Sequence, residues 1–225
     1  MYYPSRKEFK ELAGEYNLIP VYRDIIADLE TPVSAFQKIQ MAENAFLLES
    51  AEHGEQMGRF SFLGANPYMV ITCTDGQVTI KNGTDVQTRE ANDPLKVIEE
   101  VMSAYKPAHY PDFPPFSGGA VGYLGYDAIK YFEEIPRTGE DDLKLPEMVF
   151  VITDTILIFD HLKHKIRVVA NAHVDRQTDD VYDQAISKIE CLVDQLASGQ
   201  STKLSIQHSL KEGSGLSECA DKVGS

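Results

Sequence analysis

The stretch from Tyr68 to Arg89 leaves this chain few ways to fold. Tyr68 to Thr74, Gln77 to Lys81 and Asp85 to Arg89 each have the length and residue types of a strand, with Asp75-Gly76 and Asn82-Gly83 between them. Asp-Gly and Asn-Gly tolerate the positive φ that two-residue hairpin turns demand, so the run predicts an antiparallel meander. A second pair of strands precedes it. Phe46 and Leu48 alternate with Leu47 and Glu49 in Asn44–Ala51, and Phe60 and Phe62 share one face of Arg59–Gly64. Between them, Glu52–Gly58 is a polar, glycine-punctuated loop.

Further elements have their own signals. Leu18–Ala27 reads as a strand. Met148–Asp160 is nearly continuous in Val, Ile, Leu and Phe, which predicts one strand buried on both faces. The segment His161–Lys165 then turns, with His161, Lys163, His164 and Lys165 in water, and Ile166–Ala170 pairs back. Ser5 and Glu8 form a capping box for a helix carrying Phe9 and Leu12. Thr31 caps a second helix with Pro32 at its first position. A third begins at Asp93-Pro94 with Val97, Ile98 and Val101 inward. A fourth spans Thr178–Ala197 with an apolar stripe through Val181, Ala185, Ile189, Leu192, Val193 and Leu196. The expected class is α+β: a large, mostly antiparallel sheet with flanking helices over residues 1–198, followed by a linker or disordered tail over 199–225.

Composition excludes more than it selects. A formal net charge of -14 argues against nucleic acid and anionic membrane surfaces, which call for basic patches. The longest apolar runs, Met148–Ile152 and Ile156–Phe159, are far too short to span a bilayer, and with no apolar stretch after Met1 no signal peptide is expected. Cys73, Cys191 and Cys219 lie far apart without metal-ligand spacing, which suits a reducing, cytoplasmic setting. The acidic run Glu140-Asp-Asp142 reads as a solvated loop rather than a metal site.

Two stretches bear on function. Glu49 and Ser50 end an apolar strand, where a carboxylate and a hydroxyl either turn to solvent or hold the charged groups of a small amino acid. Ser117–Asp127 has glycines at 118, 119, 122 and 125. They fall inside a strand pattern, not at a strand-to-helix turn, so they do not make a dinucleotide fingerprint. Glycine there allows close packing against another backbone or an aromatic ring. The connector Pro107–Pro115, with Tyr110, Phe113 and Phe116, reads as a rigid loop pinned by its aromatics. No nucleophile–base pair or carboxylate cluster is apparent in the sequence.

Leu47-Leu-Glu-Ser50, Gly58–Gly64 and Gly118–Asp127, in that order and spacing, resemble the amino-terminal half of anthranilate synthase component I, over about residues 5 to 197. The resemblance implies a regulatory region that binds L-tryptophan for feedback inhibition. It implies Leu48, Glu49 and Ser50 as ligand contacts: Glu49 for the ammonium, Ser50 for the polar end, Leu48 with sheet aromatics for the indole. Arg59 is expected beside them, paired with Glu49, from strand adjacency. Tyr123 either flanks the ligand or packs. The family's chorismate and Mg2+ site belongs to a carboxy-terminal half with no trace here, so the chain reads as truncated and catalytically inactive alone, with no cofactor of its own. Implied partners are that catalytic half and the glutamine amidotransferase subunit, component II. The alternatives are a related aminodeoxychorismate or isochorismate synthase, or a ligand-free docking module.

Overall fold

The computed structural model describes residues 1–39, 44–50, 58–114, 116–134, 143–174 and 178–198. The readings made for the loop at 51–57, the acidic run at 140–142 and the tail at 199–225 lie outside these residues.

Ten strands and four α-helices are described, in the order α1 (Arg6–Leu12), β1 (Leu18–Ile26), α2 (Pro32–Ile39), β2 (Ala45–Leu48), β3 (Phe60–Ala65), β4 (Met69–Thr74), β5 (Gln77–Asn82), β6 (Asp85–Glu90), α3 (Pro94–Ser103), β7 (Gly119–Leu124), β8 (Met148–Thr153), β9 (Thr155–Asp160), β10 (Lys165–His173) and α4 (Thr178–Ala197). A 3-10 turn at Tyr126–Tyr131 follows β7. The class is the expected mixture of antiparallel sheet and flanking helices, but the strands divide into two five-stranded sheets, β1-β10-β9-β3-β2 and β6-β5-β4-β8-β7.

The division corrects the reading of Met148–Asp160 as one strand. The segment bends at Asp154, so β8 pairs with β4 in one sheet and β9 with β3 in the other. Its partner bends in step at Asn66 (φ 52°) and Pro67, between β3 and β4. Two bent strands therefore run through both sheets. The corner is tied by Asn171, whose backbone N–H donates to Asp154 O (2.6 Å) and whose Nδ2 donates to Ser117 O (3.0 Å). Asn171 is a buried polar residue that sequence reasoning passed over. Lys188 of α4 pairs with the Asp154 carboxylate.

Each sheet is packed by what the strand period sends to its faces. Leu63, Leu157, Phe159, Ile166 and Val168 of the first sheet meet Ile39 of α2 and Tyr182, Ala185 and Ile189 of α4, and Phe9 of α1 completes this core. The opposite face, called here the aromatic face, carries Ile156, Ile158 and Val169 with Tyr22, Phe46, Phe60, Phe62, Phe113 and Phe116. The second sheet packs Ile71, Cys73, Val78, Met148 and Ile152 against Val97, Ile98 and Val101 of α3.

The local signals are used as their chemistry dictates. Ser5 and Glu8 complete the capping box, and Ser34 N–H donates to Thr31 Oγ1 (3.1 Å). Asp75 (φ 48°) and Gly76 (φ 77°) make the first hairpin turn. The second turn sits one residue later than expected: Asn82 still pairs with Asp85, and Gly83 (φ 58°) and Thr84 are its centre. Glycine first with positive φ is the other primed hairpin geometry. Among the described residues, no helix is long and apolar enough to cross a membrane.

Candidate functional site

Register builds a candidate site on the aromatic face. Directly opposed residues in antiparallel strands share a face. One row across the sheet therefore reads Leu48, Phe62, Ile158, Arg167, Asp24. The next reads Phe60, Asp160, Lys165, Ile26, starting one strand further in. The first row is apolar at the β2–β3 end and charged at the β10–β1 end, whereas the second carries its charges, Asp160 and Lys165, between Phe60 and Ile26.

The charged end is closed. Arg167 donates from Nε to Asp24 Oδ1 (2.7 Å) and from Nη2 to Asp24 Oδ2 (3.1 Å), and Lys165 Nζ reaches the same carboxylate at 3.1 Å. The Arg167 guanidinium lies 4.2 Å over the Tyr22 ring and 4.9 Å over Phe113, and Arg167 Nη1 donates to Asp112 O (3.2 Å). Thus the proline-rich connector is pinned by its aromatics, as the sequence suggests, and covers this half of the face. Tyr110 assists, donating to Pro20 O (3.1 Å).

Burial alone would push the Asp24 carboxyl up, but the bonds from Arg167 and Lys165 outweigh it and hold the group below its usual range. A depressed folded-state pKa means the stabilisation is present above the unfolded value and disappears as pH falls through the folded one. Asp24→Asn should therefore lower stability near neutral pH, by roughly 1 to 3 kcal/mol. Denaturant unfolding should show the gap to the unsubstituted chain narrowing as pH falls below about 4.

The other end is more open, with the Phe116 ring meeting Phe62 edge-on at 5.2 Å between ring centres. Leu48, Glu49 and Ser50 are exposed, at and just beyond the end of β2. Phe62 lies opposite Leu48, and Phe60 is 6.2 Å from Phe62 between ring centres. The Phe46 ring lies across Gly64, where an added Cβ would stand 3.2 Å from Phe46 Cδ1 and closer still to the ring tip. Arg59 reaches this end, with its guanidinium 4.7 Å over the Phe60 ring.

Its ion-pair partner is Asp160, not Glu49 as expected: Arg59 Nε donates to Oδ1 (3.0 Å) and Nη2 to Oδ2 (2.6 Å). The reason is register, since Asp160 stands directly opposite Phe60. Nothing local in sequence signals a partner 101 residues away. His161 is exposed, but it is not merely a turn residue, because its Nε2 lies 2.7 Å from the buried Ser61 Oγ.

Tyr123 stands elsewhere. It pairs with Val149 in the second sheet, whereas Leu48 reaches Ile158 through Phe62, so the Asp154 bend separates the two positions along the shared strands. The Tyr123 hydroxyl donates to Pro146 O (2.9 Å). Among the described residues, no three His, Cys, Asp or Glu side chains converge as metal ligands would.

Leu48, Phe60 and Phe62 thus form an apolar floor with the Arg59 guanidinium over the Phe60 ring, and Glu49 and Ser50 follow Leu48 just beyond the end of β2. Sequence relationships bear on which family built it. A family model described as chorismate binding enzyme matches residues 43–219. The chain belongs to that family. Anthranilate synthase component 1 of Acetivibrio thermocellus is 40% identical over 192 residues, covering 85% of this chain and 39% of that protein. The same-named protein of Acinetobacter calcoaceticus is 36% identical, covering 84% and 39%. The crystal structure of anthranilate synthase component I from Streptococcus pneumoniae TIGR4 aligns with TM-score 0.50 and 29% identity, over 75% of this chain and 36% of that one. This chorismate-binding family member thus spans about two fifths of the length of the curated relatives it matches.

Proposed function

We propose that the chain is the tryptophan-sensing region, residues 1–198, of an anthranilate synthase component I, and that L-tryptophan binds at the open end of the aromatic face. The observation that carries this reading is the meeting, within two rows of one sheet face, of Leu48, Phe60 and Phe62 with Arg59 over the Phe60 ring, next to Glu49 and Ser50. The indole packs on Leu48, Phe60 and Phe62, the ammonium meets Glu49, and Ser50 and Arg59 take the polar end. Tyr123, beyond the bend, packs at its own sheet edge and makes no direct contact with this ligand.

In the complete enzyme, chorismate would be converted to anthranilate at a Mg2+ site in a catalytic half, with component II supplying ammonia from glutamine, in the cytoplasm. The chain alone would carry out no such chemistry. Regulation requires that tryptophan bind one arrangement of sensing region and catalytic half better than another. An exposed apolar surface at the β7 edge, with Leu124, Tyr126 and Phe132, supports a docking role for the same region. A catalytic half seated there would leave the aromatic face free for ligand.

Calorimetric titration with L-tryptophan tests the reading. The unsubstituted chain should bind saturably, and Ser50→Phe, which places a ring where the polar end belongs, should weaken binding at least tenfold, or about 1.4 kcal/mol. Equal affinity in both proteins would refute the site. In the complete enzyme, Ser50→Phe should remove feedback by tryptophan and leave turnover intact.

A further inference from the structure

Arg59 has two edges on which its guanidinium can grip a carboxylate: the side edge, Nε with Nη2, and the end edge, Nη1 with Nη2. Asp160 occupies the side edge through both of its oxygens. Among the described residues, Nη1 has no partner. The grip is itself held. Lys163 N–H donates to Asp160 Oδ1 (3.1 Å), and His161 N–H donates to Arg59 O (2.9 Å), so the β9–β10 turn fixes both members of the pair. Side-chain exposure is 15% for Asp160 and 28% for Arg59, so water competes little for the shared bonds. The Phe60 ring supports one face of the guanidinium plane.

A free arginine side chain at a strand end samples many rotamers, and binding must then freeze them. Here the side edge and one face are already committed, which among the described residues leaves the end edge for a second carboxylate.

Resting on the tryptophan reading above, we infer that Asp160 is a positioning residue that aims the Nη1–Nη2 edge of Arg59 at the ligand's α-carboxylate. Asp160 touches no ligand and acts through Arg59 alone. The site is accordingly selective for aromatic amino acids with a free carboxylate. Aromatic amines of the same shape bind weakly whether or not Asp160 is intact.

The test is a double-mutant cycle on the 225-residue chain, with L-tryptophan affinity measured for the unsubstituted protein, Arg59→Ala, Asp160→Asn and the double variant, and thermal unfolding recorded for each. Asp160→Asn should weaken L-tryptophan about tenfold, and in the Arg59→Ala background it should cost nothing further. Tryptamine, which lacks the carboxylate, should bind the unsubstituted protein and Asp160→Asn alike. If the unsubstituted chain binds no L-tryptophan, the underlying functional reading falls. If that chain binds but Asp160→Asn matches it, or the losses simply add in the double variant, the positioning role is overturned. Equal weakening of tryptamine and tryptophan by Asp160→Asn would overturn it as well, since a merely structural loss has that signature.

Discussion

Gly122→Ala should cost about 3 kcal/mol of folding stability or more, at the upper end of what overpacking exacts. Gly122 sits in β7 opposite Phe150. A Cβ built there would be driven into the Val149 carbonyl oxygen and would stand 2.7 Å from the Phe150 Cα. Both are backbone atoms of the neighbouring strand, so no side chain can swing aside to relieve the clash. Strand β7 would have to lift from β8, giving up ladder hydrogen bonds along the edge of the sheet. Chemical denaturation measures this directly, and a loss below about 1 kcal/mol would mean that β7 does not lie against Val149 in this way.

Leu157→Ala should be comparably severe, through the core rather than the edge. Leu157 is fully buried on β9, the central strand of the first sheet, where it opposes Leu63 on β3 and Val168 on β10 and belongs to the core beneath α2 and α4. Removing the isobutyl group loses its transfer free energy and leaves a cavity that paired strands on both sides cannot close. The expected cost is roughly 3 to 5 kcal/mol. Against a typical domain stability of about 5 to 15 kcal/mol, this brings the chain near the unfolding threshold. The midpoint in urea should fall sharply with the slope unchanged; a shift equivalent to less than about 1 kcal/mol would place Leu157 outside the core.

Gly122 also shows what the sequence makes legible. A glycine inside an alternating strand pattern predicts a close backbone approach, and the Val149 carbonyl is that approach. The capping box at Ser5 and Glu8 and the turn at Asp75-Gly76 are legible for the same reason: their chemistry is complete within four residues. The division into two sheets is not. Val, Ile, Leu and Phe run up to Asp154 and resume after it, and apolar periodicity carries no information about which partner strand each half chooses. The candidate site divides along the same line. Leu48, Glu49 and Ser50 are found as a contiguous motif at a strand end. Asp160, Lys165 and Arg167 enter the same face only through register, more than 100 residues further along the chain, and no local pattern announces them. Tyr123 illustrates the reverse: a residue in an informative stretch that the bend carries to the other sheet.

The most direct measurement is a two-dimensional amide NMR titration of the 225-residue chain with L-tryptophan. A ligand on the aromatic face at the β2 end predicts saturable shift changes concentrated at Leu48, Glu49, Ser50, Arg59, Phe60 and Phe62, with Tyr123 and the rest of β7 unmoved. An unperturbed spectrum at saturating tryptophan, or changes centred on β7 and the 3-10 turn, would contradict the account.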